Sequence, residues 1–187
     1  MAFQLASEII LNIGQLSQEL LKSAQDFLPH SAWNTRNLLE LWIWPKYCCA
    51  ARENAWRFHE DCLRDSQGLT NSYVKMCELI GHSREMESEL RARLATVARA
   101  KLGLDSIDAE YKRVAEAART VGLQEWFVAY NQFLSKFVHP TAFFVVGMSA
   151  QPEQWRDMQV VFITMGCTFA RECTTILEQT ILNVPKV

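Results

Sequence analysis

The chain has 187 residues, of which 49% are hydrophobic, and its formal charge at pH 7 is −2. This size suits one domain with one core, and the composition is that of a globular protein. The small net charge excludes strong, purely charge-driven binding to nucleic acid or to an anionic membrane. Seven glycines and five prolines are too few for a many-turned β-sandwich.

Six cysteines lie mostly among apolar neighbours without any C-x-x-C pair, which predicts free, buried thiols in a reducing compartment. His59 and Cys62 could ligate a metal from one helix face, but no second pair completes the set, so no metal or cofactor is expected.

The first residues lack the basic start of a secretory signal. Two apolar stretches, 137–152 and 158–170, are shorter than the roughly 18–20 residues of a membrane span. We therefore expect a soluble, cytoplasmic protein with no membrane partner.

Apolar residues recur at three- and four-residue steps over 3–27, which is the period of an amphipathic helix, and Pro29 is predicted to end that helix. A second helix is predicted to begin within 31–35. It is hydrophobic nearly all round, which is typical of a central helix. Pro45 deprives the Leu41 carbonyl of its donor, which predicts a kink.

Five further helices are predicted downstream, over 53–80, over 83–103, from Asp105 or Ser106 to near Gly122, over 124–137 and over 152–182. The inward seam of the first of these is expected to include Ala55, His59, Cys62, Leu69, Tyr73, Met76 and Ile80. The helix over 124–137 is expected to bury Trp126, Phe127, Tyr130, Phe133, Leu134 and Phe137. No strand alternation is found. The sequence thus predicts an all-α, antiparallel bundle of about six to seven helices in a single domain, 1–187.

Polar residues on the most apolar helix form the first candidate site: Arg36, Asn37 and Glu40 share one side of it. Buried charges are costly unless they pair and find further hydrogen bonds, so such groups indicate a function. The alternative is that Arg36 and Glu40 lie half exposed at one helix end and only pair with each other. Arg preceding Glu is, however, the weaker order for such a pair.

The second candidate is a stripe of Asn131, Ser135 and His139, spaced four residues apart on one polar side of a helix. His139 could serve as a general acid or base, or bind a phosphate. The alternative is a helix-terminal histidine that caps carbonyl groups before Pro140.

Short motifs suggest a family. The R-x-x-x-E of Arg36 and Glu40 lies within 34–50 and is followed by the segment 52–63, and Y-x-x-x-L-S-x-x-x-H-P covers 130–140. Together these resemble a bacterial helical family of unknown function, and the last motif is similar to that of HEPN domains. The resemblance implies a helical bundle, often dimeric, of a kind common in toxin–antitoxin, abortive-infection and other defence systems.

Active HEPN ribonucleases are similar in carrying R-N-x-x-x-H, in which Arg and His meet at a dimer interface and act on RNA without a metal. In this sequence His139 holds the His position, Ser135 the Asn position and Leu134 the Arg position. Ribonuclease activity would therefore require Arg36 or Arg52 to act from another helix.

Two functions follow as hypotheses. One is a non-catalytic, HEPN-like defence or regulatory interaction module, as a homodimer or with a protein partner. The alternative is a metal-independent enzyme that cleaves RNA or binds a nucleotide or phosphate. Its catalytic residues would be Arg36, Glu40, Ser135 and His139, and its ligand-binding residues Arg36, Asn37 and Asn131.

Overall fold

The computed structural model describes residues 2–23, 28–81, 88–89, 91–92, 95, 112–139 and 152–182. Among them are six helices and no strand, which confirms the predicted all-α bundle. In chain order these are α1 (Ala2–Ser23), α2 (Leu28–Ala50), α3 (Arg52–Leu79), α4 (Val114–Thr120), α5 (Gln124–Val138) and α6 (Pro152–Leu182). The bounds predicted for α3, α5 and α6 are confirmed to within one residue. Of the helix predicted over 83–103, the five described residues are all helical.

The chain divides into two compact units, one of Met1–Arg52 with Arg113–Val187 and one of Glu53–Lys112. The first unit contains α1, α2, α4, α5 and α6, and the second contains α3 apart from its first residue. A single domain over 1–187 stays a prediction. Every residue of the candidate site belongs to the first unit.

Helix α2 packs against all the other helices of the first unit. Its side chains Leu38, Leu39 and Ile43 are almost completely buried. A helix that is apolar nearly all round is stable only when neighbours cover it on several sides, and the prediction of a central helix is confirmed. The polar side chains of α2 therefore lie beside other helices of this unit.

The start of α2 differs from the prediction. Leu28 and Pro29 already belong to the helix, so a start within 31–35 is wrong. Proline is tolerated in a first turn because an N–H at that position would have no intrahelical acceptor. Pro45 lies inside α2, and the helix continues past it to Ala50.

Helix α6 approaches α2 closely at Gly166. A Cβ at that position would overlap the Leu20 side chain and lie 3.3 Å from both Leu38 Cδ1 and Thr35 Oγ1. One turn earlier on α6, the Phe162 carbonyl accepts a buried hydrogen bond of 2.9 Å from the Thr35 hydroxyl. The absent side chain thus allows α6 to come close enough for a polar bond within the core.

Helix α4 ends near Gly122, as predicted. A helix that runs unbroken to that point from Asp105 or Ser106 is wrong, because Lys112 and Arg113 are not helical, and the predicted start lies outside the described residues. Gly122 has a φ of 74°, a conformation that glycine adopts without steric cost. The Leu123 N–H donates a hydrogen bond of 2.8 Å to the Ala118 carbonyl, which provides a donor for a carbonyl in the last turn of α4. Leu123 is also the residue that precedes α5. Along α5, Phe127, Leu134 and Phe137 are buried as predicted and Tyr130 is half-buried, whereas Trp126 and Phe133 are exposed.

In the second unit, α3 buries a different face from the one predicted. Leu69, Tyr73, Met76 and Ile80 are exposed, while Thr70, Val74 and Cys77 are buried. Both sets have helical spacing, so the pattern alone could not choose between them. Ala55 is buried as predicted, and His59 is half-buried.

Helix α6 carries a longer apolar stretch than the segment 158–170 predicted from the sequence. The segment Trp155–Thr180 is long and apolar enough, by length and composition, to cross a membrane, with a mean hydropathy of 1.4. The core helix of a soluble protein meets the same criteria, and α6 contributes Phe162, Phe169 and Cys173 to the core of the first unit. The absence of a membrane partner stays a prediction.

Candidate functional site

Helices α2 and α5 bring Arg36 and His139 into contact within one chain. Arg36 Nη1 lies 3.4 Å from His139 Nε2. Arg36 Nε donates a hydrogen bond of 3.0 Å to Asn131 Oδ1, one of the predicted ligand-binding residues. The two polar stripes found in the sequence therefore meet, and the guanidinium is held by the helix that carries the imidazole.

Glu40 is a weaker partner of Arg36 than the amide of Asn131. Its Oε1 lies 3.8 Å from Arg36 Nε, which is an ion pair without a hydrogen bond. Burial raises the pKa of Glu40, and the Arg36 charge opposes that rise only in part. The simple Arg36–Glu40 pair considered above therefore does not account for the position of the guanidinium.

Ser135 and Asn37 are placed differently from the expectation of a shared pocket. The Ser135 hydroxyl donates to the Asn131 backbone carbonyl at 2.6 Å, so its proton is used within α5. Asn37 is half-buried, and no hydrogen bond joins it to Arg36, Glu40 or His139 in the part of the chain that the structure describes. Ser135 is thus on the edge of the site, and Asn37 is outside its hydrogen bonds.

His139 follows the last residue of α5, with an extended backbone (φ −104°, ψ 150°). Its backbone N–H reaches the Ser135 carbonyl at 3.4 Å, and its ring is directed to Arg36. The alternative role of the histidine, capping carbonyl groups, is therefore filled by the backbone and leaves the exposed imidazole for other contacts.

The kind of contact between Arg36 and His139 depends on whether the imidazole is neutral or doubly protonated. Arginine has five N–H donors and no acceptor, so Nε2 accepts from Nη1 only when the ring is neutral with its proton on Nδ1. A doubly protonated ring would place two cationic donors side by side, an arrangement that an anion between them stabilises. The pair is therefore suited to hold an anion and to exchange a proton with it.

Solvent can reach part of the site. The side chains of Arg36 and Glu40 are 28% and 31% exposed. Among the described residues, Asn131 and His139 engage two of the five guanidinium N–H groups, which leaves three for a ligand. Partial burial strengthens the field of the charge that remains.

The position that holds arginine in the HEPN motif is Leu134 in this chain, and that side chain is fully buried in the core. It cannot reach a ligand. Arg36 from α2 provides the guanidinium beside His139, whereas no contact joins the exposed Arg52 to His139 among the described residues. An arginine from another helix, raised above as a requirement, is thus present.

The part of the chain that the structure describes offers neither a metal-binding cluster nor a disulfide. No group of three or more His, Cys, Asp or Glu side chains that could hold a metal ion is found in the described ranges. All six cysteines are free. Cys77 and Cys173 are buried as predicted, but Cys49, Cys62 and Cys167 are exposed.

Comparison with family models, with curated proteins and with solved structures finds no match. The resemblance to HEPN domains therefore depends on the motifs alone.

Proposed function

We propose that this chain is a HEPN-like protein that binds the phosphodiester backbone of RNA and cleaves it without a metal, with Arg36 and His139 at the reacting phosphate. The observation that carries the proposal is the 3.4 Å separation of Arg36 Nη1 and His139 Nε2. Guanidinium groups bind the oxygens of a phosphate through paired, charge-assisted hydrogen bonds. A histidine at the same phosphate can give or take a proton.

The reaction would be an internal transesterification. The ribose 2′-oxygen bonds to the adjacent phosphorus as the bond to the 5′-oxygen breaks, which leaves a 2′,3′-cyclic phosphate and a 5′-hydroxyl. One proton leaves the 2′-hydroxyl and one reaches the 5′-oxygen. His139 would carry one of these protons and solvent water the other, while Arg36 stabilises the charge that develops on the phosphate oxygens.

The arrangement favours this function over a role in packing alone. A residue that only joined α2 to α5 would be best served by full pairing of its charge, yet Arg36 has a neutral amide as its short partner and a carboxylate at 3.8 Å. Guanidinium N–H groups that Asn131 and His139 do not engage, on a side chain that is 28% exposed, support binding of an anion at this position.

The test uses single-stranded RNA in buffer containing EDTA, with the products examined for cyclic phosphate ends. We expect Arg36→Ala to reduce cleavage about 100-fold or more, as loss of one charge-stabilising group does in other active sites. His139→Ala should reduce it by a similar factor. Arg171→Ala is the matched control, because Arg171 is an exposed arginine of the same unit.

Binding and folding are measured separately from cleavage. A fully 2′-O-methylated RNA lacks the attacking hydroxyl, so its affinity reports phosphate binding alone. We expect Arg36→Ala to weaken this binding while the melting temperature stays near that of Arg171→Ala. If Arg36→Ala instead lowers the melting temperature and neither binding nor cleavage of RNA is detected in the native protein, the residue only fixes helix packing, and the interaction-module hypothesis is preferred.

A further inference from the structure

One large aromatic side chain on α2 is exposed although the residues beside it are buried. Trp33 is 51% exposed, whereas Ala32 and Asn34 are almost completely buried. Single exposed hydrophobic residues are common and by themselves indicate nothing. Trp33, however, precedes Arg36 by three residues on the same helix.

The spacing places the indole beside the proposed phosphate site. Residues three apart on a helix lie on one face, with Cβ atoms about 5–6 Å apart. In a nucleotide a single ribose separates the base from its phosphate. A phosphate held by Arg36 and His139 would therefore carry a neighbouring base over the exposed indole of Trp33.

We infer that Trp33 is the base-stacking residue of this site, so that its ligand is single-stranded RNA with an unpaired base next to the bound phosphate. The inference rests on the proposed function. Aromatic side chains bind unpaired bases by stacking, and this binding tolerates every base because each has a π-face. In a duplex the stacked neighbours would cover that face, so the site would select single strands.

A second exposed tryptophan of the same unit provides a matched control. Trp126 on α5 is 56% exposed, and its ring stacks on Tyr130 with centroids 5.8 Å apart. Tyr130 in turn packs edge-on against Phe169. Trp126 thus packs against another aromatic side chain of the protein and lies five residues from Asn131, on another face of α5.

The experiment compares three unreactive ligands: a 2′-O-methyl dinucleoside monophosphate of adenine, and the two versions of it in which one or the other base is replaced by hydrogen. We expect Trp33→Ala to weaken binding of the complete ligand about tenfold, the value of one stacked base. It should leave unchanged the affinity for the version that lacks the stacking base. Trp126→Ala should change neither affinity, and melting temperatures verify that each variant is folded.

Two further variants separate stacking from simple apolar contact. Trp33→Phe keeps an aromatic face and should retain most of the affinity, whereas Trp33→Leu keeps only apolar area and should behave as Trp33→Ala. If the leucine variant binds as tightly as the native protein, the residue is an apolar contact, as for a protein partner, and the inference is wrong.

The remaining outcomes distinguish this inference from the function on which it rests. If Arg36→Ala weakens every ligand while Trp33→Ala weakens none, the phosphate site stands and base stacking on Trp33 is refuted. If Arg36→Ala weakens none of them, the proposed function itself fails and the inference with it.

Discussion

The Cys173 thiol donates a hydrogen bond of 3.1 Å to the carbonyl oxygen of Leu41. Leu41 precedes Pro45 by four residues, so this carbonyl is the one that the proline leaves without a donor inside α2. Burial raises the pKa of Cys173 to about 12, so the thiol keeps its proton at neutral pH. A side chain of α6 thus replaces the missing backbone donor of α2.

Substitution of Cys173 by alanine and by serine tests this bond. Both replacements remove the sulfur, but serine keeps a donor for Leu41. We expect the alanine variant to be less stable than the serine variant by about 1 kcal/mol, the net value of a hydrogen bond whose loss leaves a carbonyl unsatisfied. Urea unfolding of the two variants measures the difference, and equal midpoints would show that the bond contributes nothing.

Gly166→Ala should destabilise the first unit although alanine favours a helix. The new methyl group would overlap Leu20, which is almost completely buried and has little room to move. Overpacking typically costs about 1–3 kcal/mol, which outweighs a gain in helix propensity of about 1 kcal/mol. Gly14→Ala on α1 is the control, because nothing lies within 4 Å of its new Cβ. Thermal unfolding should show a loss for Gly166→Ala and a gain for Gly14→Ala, and a gain for both would contradict the close approach of α6.

The Asp61 side chain links α3, near the start of the second unit, to the last residue of that unit. Its carboxylate is 4% exposed and accepts hydrogen bonds of 3.0 Å from Arg64 Nη1 and from the Lys112 backbone N–H. Asp61→Asn would leave the Arg64 charge buried without its counter-ion, which we expect to cost about 3–5 kcal/mol. Hydrogen exchange should increase within 53–112 and not in α2.

The neighbouring Asp65 is the control for that experiment. It is exposed, and its pKa is raised by partial burial and by the charge of Asp61. Asp65→Asn therefore removes a repulsion and should leave exchange in the second unit unchanged or slower. Faster exchange in both variants would mean that any loss of charge on this turn loosens α3.

The features of the fold that the sequence predicted correctly are those that depend on a local pattern of residues. The turn at Gly122 after α4 and the start of α6 at Pro152 follow from backbone conformations that these residues favour. Pro29 was predicted to follow the end of one helix, but it lies in the first turn of α2, because proline suits both positions. The buried face of α3 was misplaced because two stripes on it have helical spacing.

The candidate site was predictable in its members and not in its contacts. Arg36 and His139 stood out because polar groups beside apolar helices call for an explanation. Arg36 is about a hundred residues away in sequence from Asn131 and His139. Helical periodicity does not indicate which polar stripe of one helix faces which stripe of another. Asn131 as the acceptor for Arg36 depends on the packing of α2 against α5, whereas the bond from the Ser135 hydroxyl to the carbonyl four residues earlier is local to α5.

Glu40 allows a test of the site that does not depend on any ligand. Its pKa is raised first by burial, and Arg36 lowers it by less. The folded protein therefore binds a proton at Glu40 more tightly than the unfolded chain does. Between the ordinary carboxyl pKa, about 4.5, and the raised folded value, the unfolding free energy contributed by this group falls as pH rises.

Glu40→Gln removes this contribution and keeps the shape of the side chain. We expect the native protein to lose stability relative to the variant as pH rises above 4.5, and the two to converge below it, where the carboxyl is protonated in both states. Urea midpoints at several pH values measure the difference. If the native protein instead gains on the variant as pH rises, pairing with Arg36 outweighs burial. A Glu40 carboxylate that pairs so strongly with Arg36 would compete with a phosphate for the guanidinium.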